Sequence, residues 1–254
     1  MSSEVVLGIE TRDALTVHPI GGARALGVDA FVTDRFGGVS SAPYDSLNLG
    51  EHVGDRAKDV RENRRRVASA IGVDASHLVI VRQVHGADVL DASNASPSSE
   101  ADALVSDGHD LGVAILVADC VPILLVDSSS NRFAIVHAGW RGLHVGVIAQ
   151  TLLRFRDAAQ VRAFFGPSIS GEGYQVGPEV AVHFAHLSGA VTPDVDDRSR
   201  LDLSLVATRQ LLERGVPDTS IVRCRQVTDG GEVFFSDRAQ RPCGRFAFVA
   251  RRIS

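Results

Sequence analysis

The chain is 254 residues long, 44% hydrophobic and 22% charged, with a formal net charge of -5, the bulk profile of a soluble globular protein with a substantial core. The negative balance argues against a general nucleic-acid or membrane-surface binder. Three cysteines, Cys120, Cys224 and Cys243, are odd in number and widely spaced, which excludes a disulfide framework and suits a reducing cytoplasm.

The opening stretch MSSEVVLGIETRD carries acids early and has no basic segment followed by an apolar one, so no signal peptide is expected and the protein reads as cytoplasmic. The first 34 residues are strand-rich, with Ala30-Phe31-Val32-Thr33 as one short strand. Asp34 to Gly50 is rich in Gly, Ser and Pro and predicts a long loop; loops of this length inside a domain tend to be functional. A helix is expected from about Ala57 to Ile71, with Asp55 as N-cap, Gly72 as C-cap and Val60, Val67, Ala70 and Ile71 as its inner stripe. His77 to Leu90 reads as strand material, followed by a polar turn and a strand beginning at Ala101.

The centre of the chain, Gly112 to Gly142, reads GVAILVADCVPILLVD, then SSSN, then RFAIVHAGWRG. Two apolar runs flank a short polar break, the pattern of two buried strands joined by a turn. The longest apolar run, Val113 to Val126, is interrupted by Asp119 and Pro122 and is too short to span a bilayer. Beyond it, Leu143, Val147, Leu152 and Phe155 mark one face of a helix ending near Arg156. Ala163 to Phe165 predicts a strand, Glu179 to Ala185 a short helix, and Asp202 caps a helix over Leu203 to Arg214. The tail predicts a hairpin of Val233–Phe235 with Arg245–Val249. No internal repeat or linker stands out, so one mixed α/β domain over residues 1–254 is the simplest account.

Cys120, Asp119, His137 and Arg141 sit in or beside those central runs, and buried strands seldom carry such groups unless they are paired or bind something. His85, in Gln83-Val84-His85-Gly86, is a third candidate. Two His and a Cys can hold zinc and leave a fourth position for water, but their spacings are long, so convergence must come from the fold. Small residues Ala138 and Gly139 leave room for a ligand beside His137, and Arg141 at the expected helix start favours an anion. The same atoms allow two other readings: Cys120 as a nucleophile with His137 or His85 as its base, or Cys120 as a small core residue beside structural histidines. The zinc deaminase signature is absent, as are a Walker loop, a dinucleotide fingerprint and GxSxG.

QVHGADV at Gln83 to Val89, ADALVSD at Ala101 to Asp107, ADCVPILLVD at Ala118 to Asp127 and HAGWRG at His137 to Gly142 resemble the YfiH/PgeF family, also called the laccase-domain or purine nucleoside phosphorylase family. FVTDRFGGVSSAPYDSLNLG, VRENRRRV, GPSI, LDL, FFSDR and CGR extend the resemblance over nearly the whole chain. It implies a single α/β/β/α-type layered domain with mixed sheets, and a metal held by His85, Cys120 and His137, with zinc favoured over copper. It also implies phosphorolysis of adenosine, inosine and methylthioadenosine, with adenosine deamination as a further activity. Some members are described instead as peptidoglycan editing hydrolases that remove L-Ser from a UDP-MurNAc precursor, and an older assignment is copper-dependent polyphenol oxidation. A binding module with structural zinc is the non-enzymatic alternative. The expected partners are therefore a nucleoside and phosphate, without nucleic acid or membrane. Arg35, Asn48, Arg141 and Arg238 are the candidate substrate contacts, against a loop-capping and surface-charge role for Arg35, Asn48 and Arg238. The family's usual FFSYRR reads FFSDRA here, at Phe234 to Ala239, which bears on substrate choice.

Overall fold

The computed structural model describes residues 3–253. Strands β1 (Ser3–Val5), β2 (Glu10–Arg12), β3 (Leu15–Pro19) and β4 (Val28–Thr33) precede the Gly-rich loop and helix α1 (Ala57–Ile71). Next come β5 (Leu78–Ile80), β6 (Val89–Asp91), β7 (Ala103–Ser106), β8 (Gly112–Val117), β9 (Val121–Asp127) and β10 (Phe133–Ala138), then α2 (Trp140–Val145) and α3 (Val147–Leu152). The last third holds β11 (Val161–Phe165), β12 (Gln175–Val176), α4 (Pro178–Ala181), β13 (Val191–Pro193) and β14 (Ser199–Leu201). Helix α5 (Leu203–Glu213), β15 (Ile221–Cys224) and β16 (Phe246–Arg252) complete it.

Two mixed sheets dominate, a seven-stranded one ordered β1-β15-β11-β9-β10-β7-β6 and a six-stranded one ordered β2-β3-β4-β16-β8-β5. The alternation of side chains along each strand decides which layer they face. On β10, Phe133 and Ile135 join Leu124 and Val126 of β9 in a core shared with Val32, Ile115 and Phe248 of the other sheet. Ala134, Val136 and Ala138 face the opposite way, into a second core with Leu143, Ile148, Val206 and Leu211 of the helices. A third core packs Val67, Ala70 and Ile71 of α1 on Phe31, Leu116 and Val249. The result is the expected α/β/β/α layering. No helix among the described residues is long and apolar enough to cross a membrane.

Five local expectations change. The run GVAILVADCVPILLVD is two strands in different sheets, because the chain leaves the six-stranded sheet at Val117 and enters the seven-stranded one at Val121. Between them Asp119 takes a left-handed φ of 91°, which breaks any continuous strand. His77 to Leu90 is likewise two short strands separated by a loop with His85 at φ 57°. The helix expected up to Arg156 is divided into α2 and α3 at Gly146, which is itself left-handed at φ 89°. Finally, Val233–Phe235 forms no strand, and β16 pairs instead with β4 and β8. At α1 the N-cap is Arg56, one residue after Asp55, whereas Gly72 closes the helix as expected. The Asp55 carboxylate accepts from Ser40 Oγ and Asn48 Nδ2, so it fastens the Gly-rich loop rather than the helix.

Candidate metal centre

His85, Cys120 and His137 converge, with one ligand atom from each lying within 4.8 Å of the others. They arrive from three places: the loop after β5, the crossing between β8 and β9, and the end of β10. His137 is buried, Cys120 half-buried and His85 exposed, so the cluster opens to solvent on the His85 side. The two imidazoles meet edge to face with centroids 4.7 Å apart.

Asp102, fully buried just before β7, holds the two histidines in place. Its Oδ1 accepts from His137 Nδ1 at 2.7 Å. The same carboxylate accepts the backbone N–H groups of Val84, His85 and Gly86 at 3.1, 3.0 and 2.7 Å. One side chain therefore sets the ring orientation of one ligand and the uncommon backbone conformation of another. A carboxylate on the far nitrogen of a ligating imidazole also leaves Nε2 unprotonated and more basic toward a metal. The residue was embedded in the quoted ADALVSD motif, but nothing local in the sequence marks it as the partner of a histidine 35 positions away.

The electrostatics agree. Burial alone pushes the Cys120 thiol up, but the charge of His137 and hydrogen bonds from His137 and His85 outweigh it and lower its pKa. Burial would lower His137, yet the Cys120 charge and the Asp102 hydrogen bond raise it. A thiolate is the form that binds metal. Gly139 supplies the room: a Cβ there would lie 2.9 Å from both Cys120 Sγ and His85 Nδ1. Donor set, space and supporting carboxylate all fit a metal ion.

The candidate substrate contacts fall into two groups. Asn48 is fully buried and its amide is saturated: Oδ1 accepts from Gly50 N and Arg245 N, and Nδ2 donates to Gly50 O and Asp55 Oδ2. Arg35 is buried against the Phe235 ring and donates to Asp45 O, Gly231 O and Gln240 Oε1. Both tie the Gly-rich loop together. Arg141 and Arg238 are exposed, each stacked on an aromatic ring, Trp140 at 4.3 Å and Tyr174 at 5.0 Å. Neither forms an ion pair with a carboxylate among the described residues. Helix α2 spans only six residues, so an anion there would be held by the guanidinium rather than by a helix dipole.

Two further side chains feel the charge of the cluster. Burial and the Cys120 charge push the Tyr174 phenol up to about 12, against the charges of Arg238 and Arg141. His52, in the turn Glu51–Val53, is held below its usual range by burial and by the positive charges of Arg245, Arg64 and His85. Composition hid both, since a Tyr in a Gly-rich turn and a His between Glu and Val carry no spacing signal.

The family described as multi-copper polyphenol oxidoreductase laccase matches residues 29–252. The chain belongs to this family. Among its laccase-domain relatives, the purine nucleoside phosphorylase YfiH of Escherichia coli is 37% identical over 227 residues, 87% of this chain and 92% of that protein. The purine nucleoside phosphorylase SCO2081 of Streptomyces coelicolor is 39% identical over 225 residues, 85% of this chain and 91% of that one. The crystal structure of YlmD from Geobacillus stearothermophilus superposes with a TM-score of 0.89 at 30% identity, covering 98% of this chain and 99% of that one. These laccase-domain likenesses support an enzyme of the nucleoside phosphorylase kind.

Proposed function

We propose that the chain is a zinc-dependent purine nucleoside phosphorylase that cleaves adenosine, inosine and methylthioadenosine with phosphate, and that adenosine deamination is a further activity. The single observation that carries the reading is the open His85–Cys120–His137 cluster with two exposed arginines, Arg141 and Arg238, whose side chains form no ion pair with a carboxylate among the described residues. Three protein ligands with a free position are the pattern of catalytic rather than structural zinc. Zinc bound there supplies a Lewis acid and, with water, a hydroxide source near neutral pH.

The residues of the chain do the rest. Arg141 and Arg238 neutralise phosphate as it approaches C1′ of the ribose, and their lack of carboxylate partners leaves that capacity free. Tyr174 presents a phenol that stays protonated at neutral pH and so acts as a donor. Asp102 keeps the proton on His137 Nδ1, which leaves Nε2 for the metal side of the ring.

The test is release of hypoxanthine from inosine, or adenine from adenosine, by purified protein with and without phosphate, alongside metal analysis. Phosphate-dependent release that disappears on chelation and returns with zinc supports the reading. Full activity in metal-free protein overturns the zinc role. The low thiol pKa of Cys120 is also what a thiolate nucleophile requires, so hydrolysis of UDP-MurNAc-L-Ser without phosphate, lost in Cys120→Ala, would replace this reading with peptidoglycan editing.

A further inference from the structure

Asp119 is a buried carboxylate that touches none of the three candidate ligands by hydrogen bond, although it is the chain neighbour of Cys120. Its Oδ1 accepts from Thr228 Oγ1 at 2.6 Å and Ser236 Oγ at 2.7 Å, and its Oδ2 from Arg238 N at 2.8 Å. Its backbone carbonyl accepts from Ile169 N at 2.9 Å. One residue thus gathers two segments onto the crossing between β8 and β9: the loop after β11, and the β15–β16 connection at both Thr228 and Ser236–Arg238. Those segments are also joined to each other: Thr228 N donates to Ser168 O, and Ser170 N and Oγ donate to Asp229.

The two segments carry Tyr174 and Arg238 respectively. The Ile169 loop runs on to Tyr174, whose N–H donates to Ser170 O. The Ser236 loop carries Arg238, whose guanidinium lies over the Tyr174 ring and donates to Gln175 O at 2.8 Å. Nothing else among the hydrogen bonds of the described residues connects the Arg238 backbone to the crossing that bears Cys120. A left-handed residue at that point aims its carboxylate away from the ligands and toward the loops, and an Asp tolerates the conformation better than a larger residue.

We propose that Asp119 is a positioning residue that fixes Arg238 over Tyr174 beside the metal centre, and that this Arg238–Tyr174 pair is the wall that recognises the phosphate of the reaction. The assignment of phosphate rests on the phosphorylase reading above; the latch itself does not. Asp119 acts through Arg238, so its removal weakens phosphate binding and leaves the ligand cluster in place.

The test uses Asp119→Asn, which keeps the size but loses the charge and turns one acceptor into a donor. Expected are wild-type zinc content, at least about tenfold faster hydrogen exchange in the 236–240 segment, and a KM for phosphate raised about tenfold with kcat within about threefold. In an Arg238→Ala background the same change should add no further rise in KM. Ser236→Ala, which removes one hydroxyl donor, should move exchange and KM in the same direction by less, and it decides the matter if Asp119→Asn fails to fold. Zinc loss in Asp119→Asn, unchanged exchange at 236–240, or a KM effect that multiplies with Arg238→Ala would overturn the proposal. If the wild-type protein shows no phosphate-dependent release, the phosphorylase reading and the phosphate wall fail together, while exchange and zinc content still judge the latch.

Discussion

The Gly-rich loop and the rim of the metal centre use the same kinds of side chain to opposite ends. In the loop, Asn48 and Arg35 are buried and their polar atoms are met by the protein itself. At the rim, Arg141 and Arg238 are exposed, stacked on rings and without carboxylate partners. A buried polar group with every hydrogen bond satisfied holds structure, because leaving it unpaired is costly. A guanidinium with donors to spare is available to a ligand. Residue type in a sequence does not separate the two; the hydrogen-bond account does.

The largest expected effect lies at the cluster that the rim surrounds. His137→Ala and Cys120→Ala should each abolish zinc retention and reduce phosphate-dependent purine release by about 1,000-fold or more, measured by metal analysis and product chromatography. Normal turnover in either variant breaks the metal reading. Next comes Asp102→Asn, which should weaken zinc affinity by about 10- to 100-fold in a competition assay with a chromogenic chelator. An unchanged affinity would reduce Asp102 to a loop clasp. Gly139→Ala places a Cβ against Cys120 Sγ and His85 Nδ1, so its zinc content should fall without loss of fold by circular dichroism.

The last pair bears directly on the comparison. Asn48→Ala should cost about 2–4 kcal/mol of stability in denaturant unfolding while leaving KM per folded molecule unchanged. Arg238→Ala should do the reverse, raising KM for phosphate about tenfold with the unfolding midpoint unmoved. If Asn48→Ala raises KM instead, the loop is part of the binding surface and the contrast collapses.

The layered α/β architecture was legible because the near-continuous apolar runs of β8, β9 and β10 are strong enough to reveal strands buried on both faces in the bare sequence. The same strength concealed the sheet change at Asp119, since an apolar run with so short an interruption gives no sign that its halves belong to different layers. His85, Cys120 and His137 stood out as chemically unusual in their settings, and the motif resemblance joined them. Asp102 and Tyr174 did not, because their roles depend on partners far along the chain. The expected hairpin failed for a related reason: β16 finds its partners in β4 and β8, more than a hundred residues away in sequence, and no turn signal encodes that pairing.

The three-residue crossing Ala118–Cys120 has a consequence for how the gene can change. Side chains in β8 and β9 alternate between layers, so one residue inserted or removed at the crossing puts Cys120 or the whole of β9 out of phase with its core. Substitutions of matched size can be absorbed there, but changes of length cannot. The exposed turn at residues 96–98 is where insertions should survive. Deletion scanning across both segments should show tolerance at the turn and a sharp gap at the crossing.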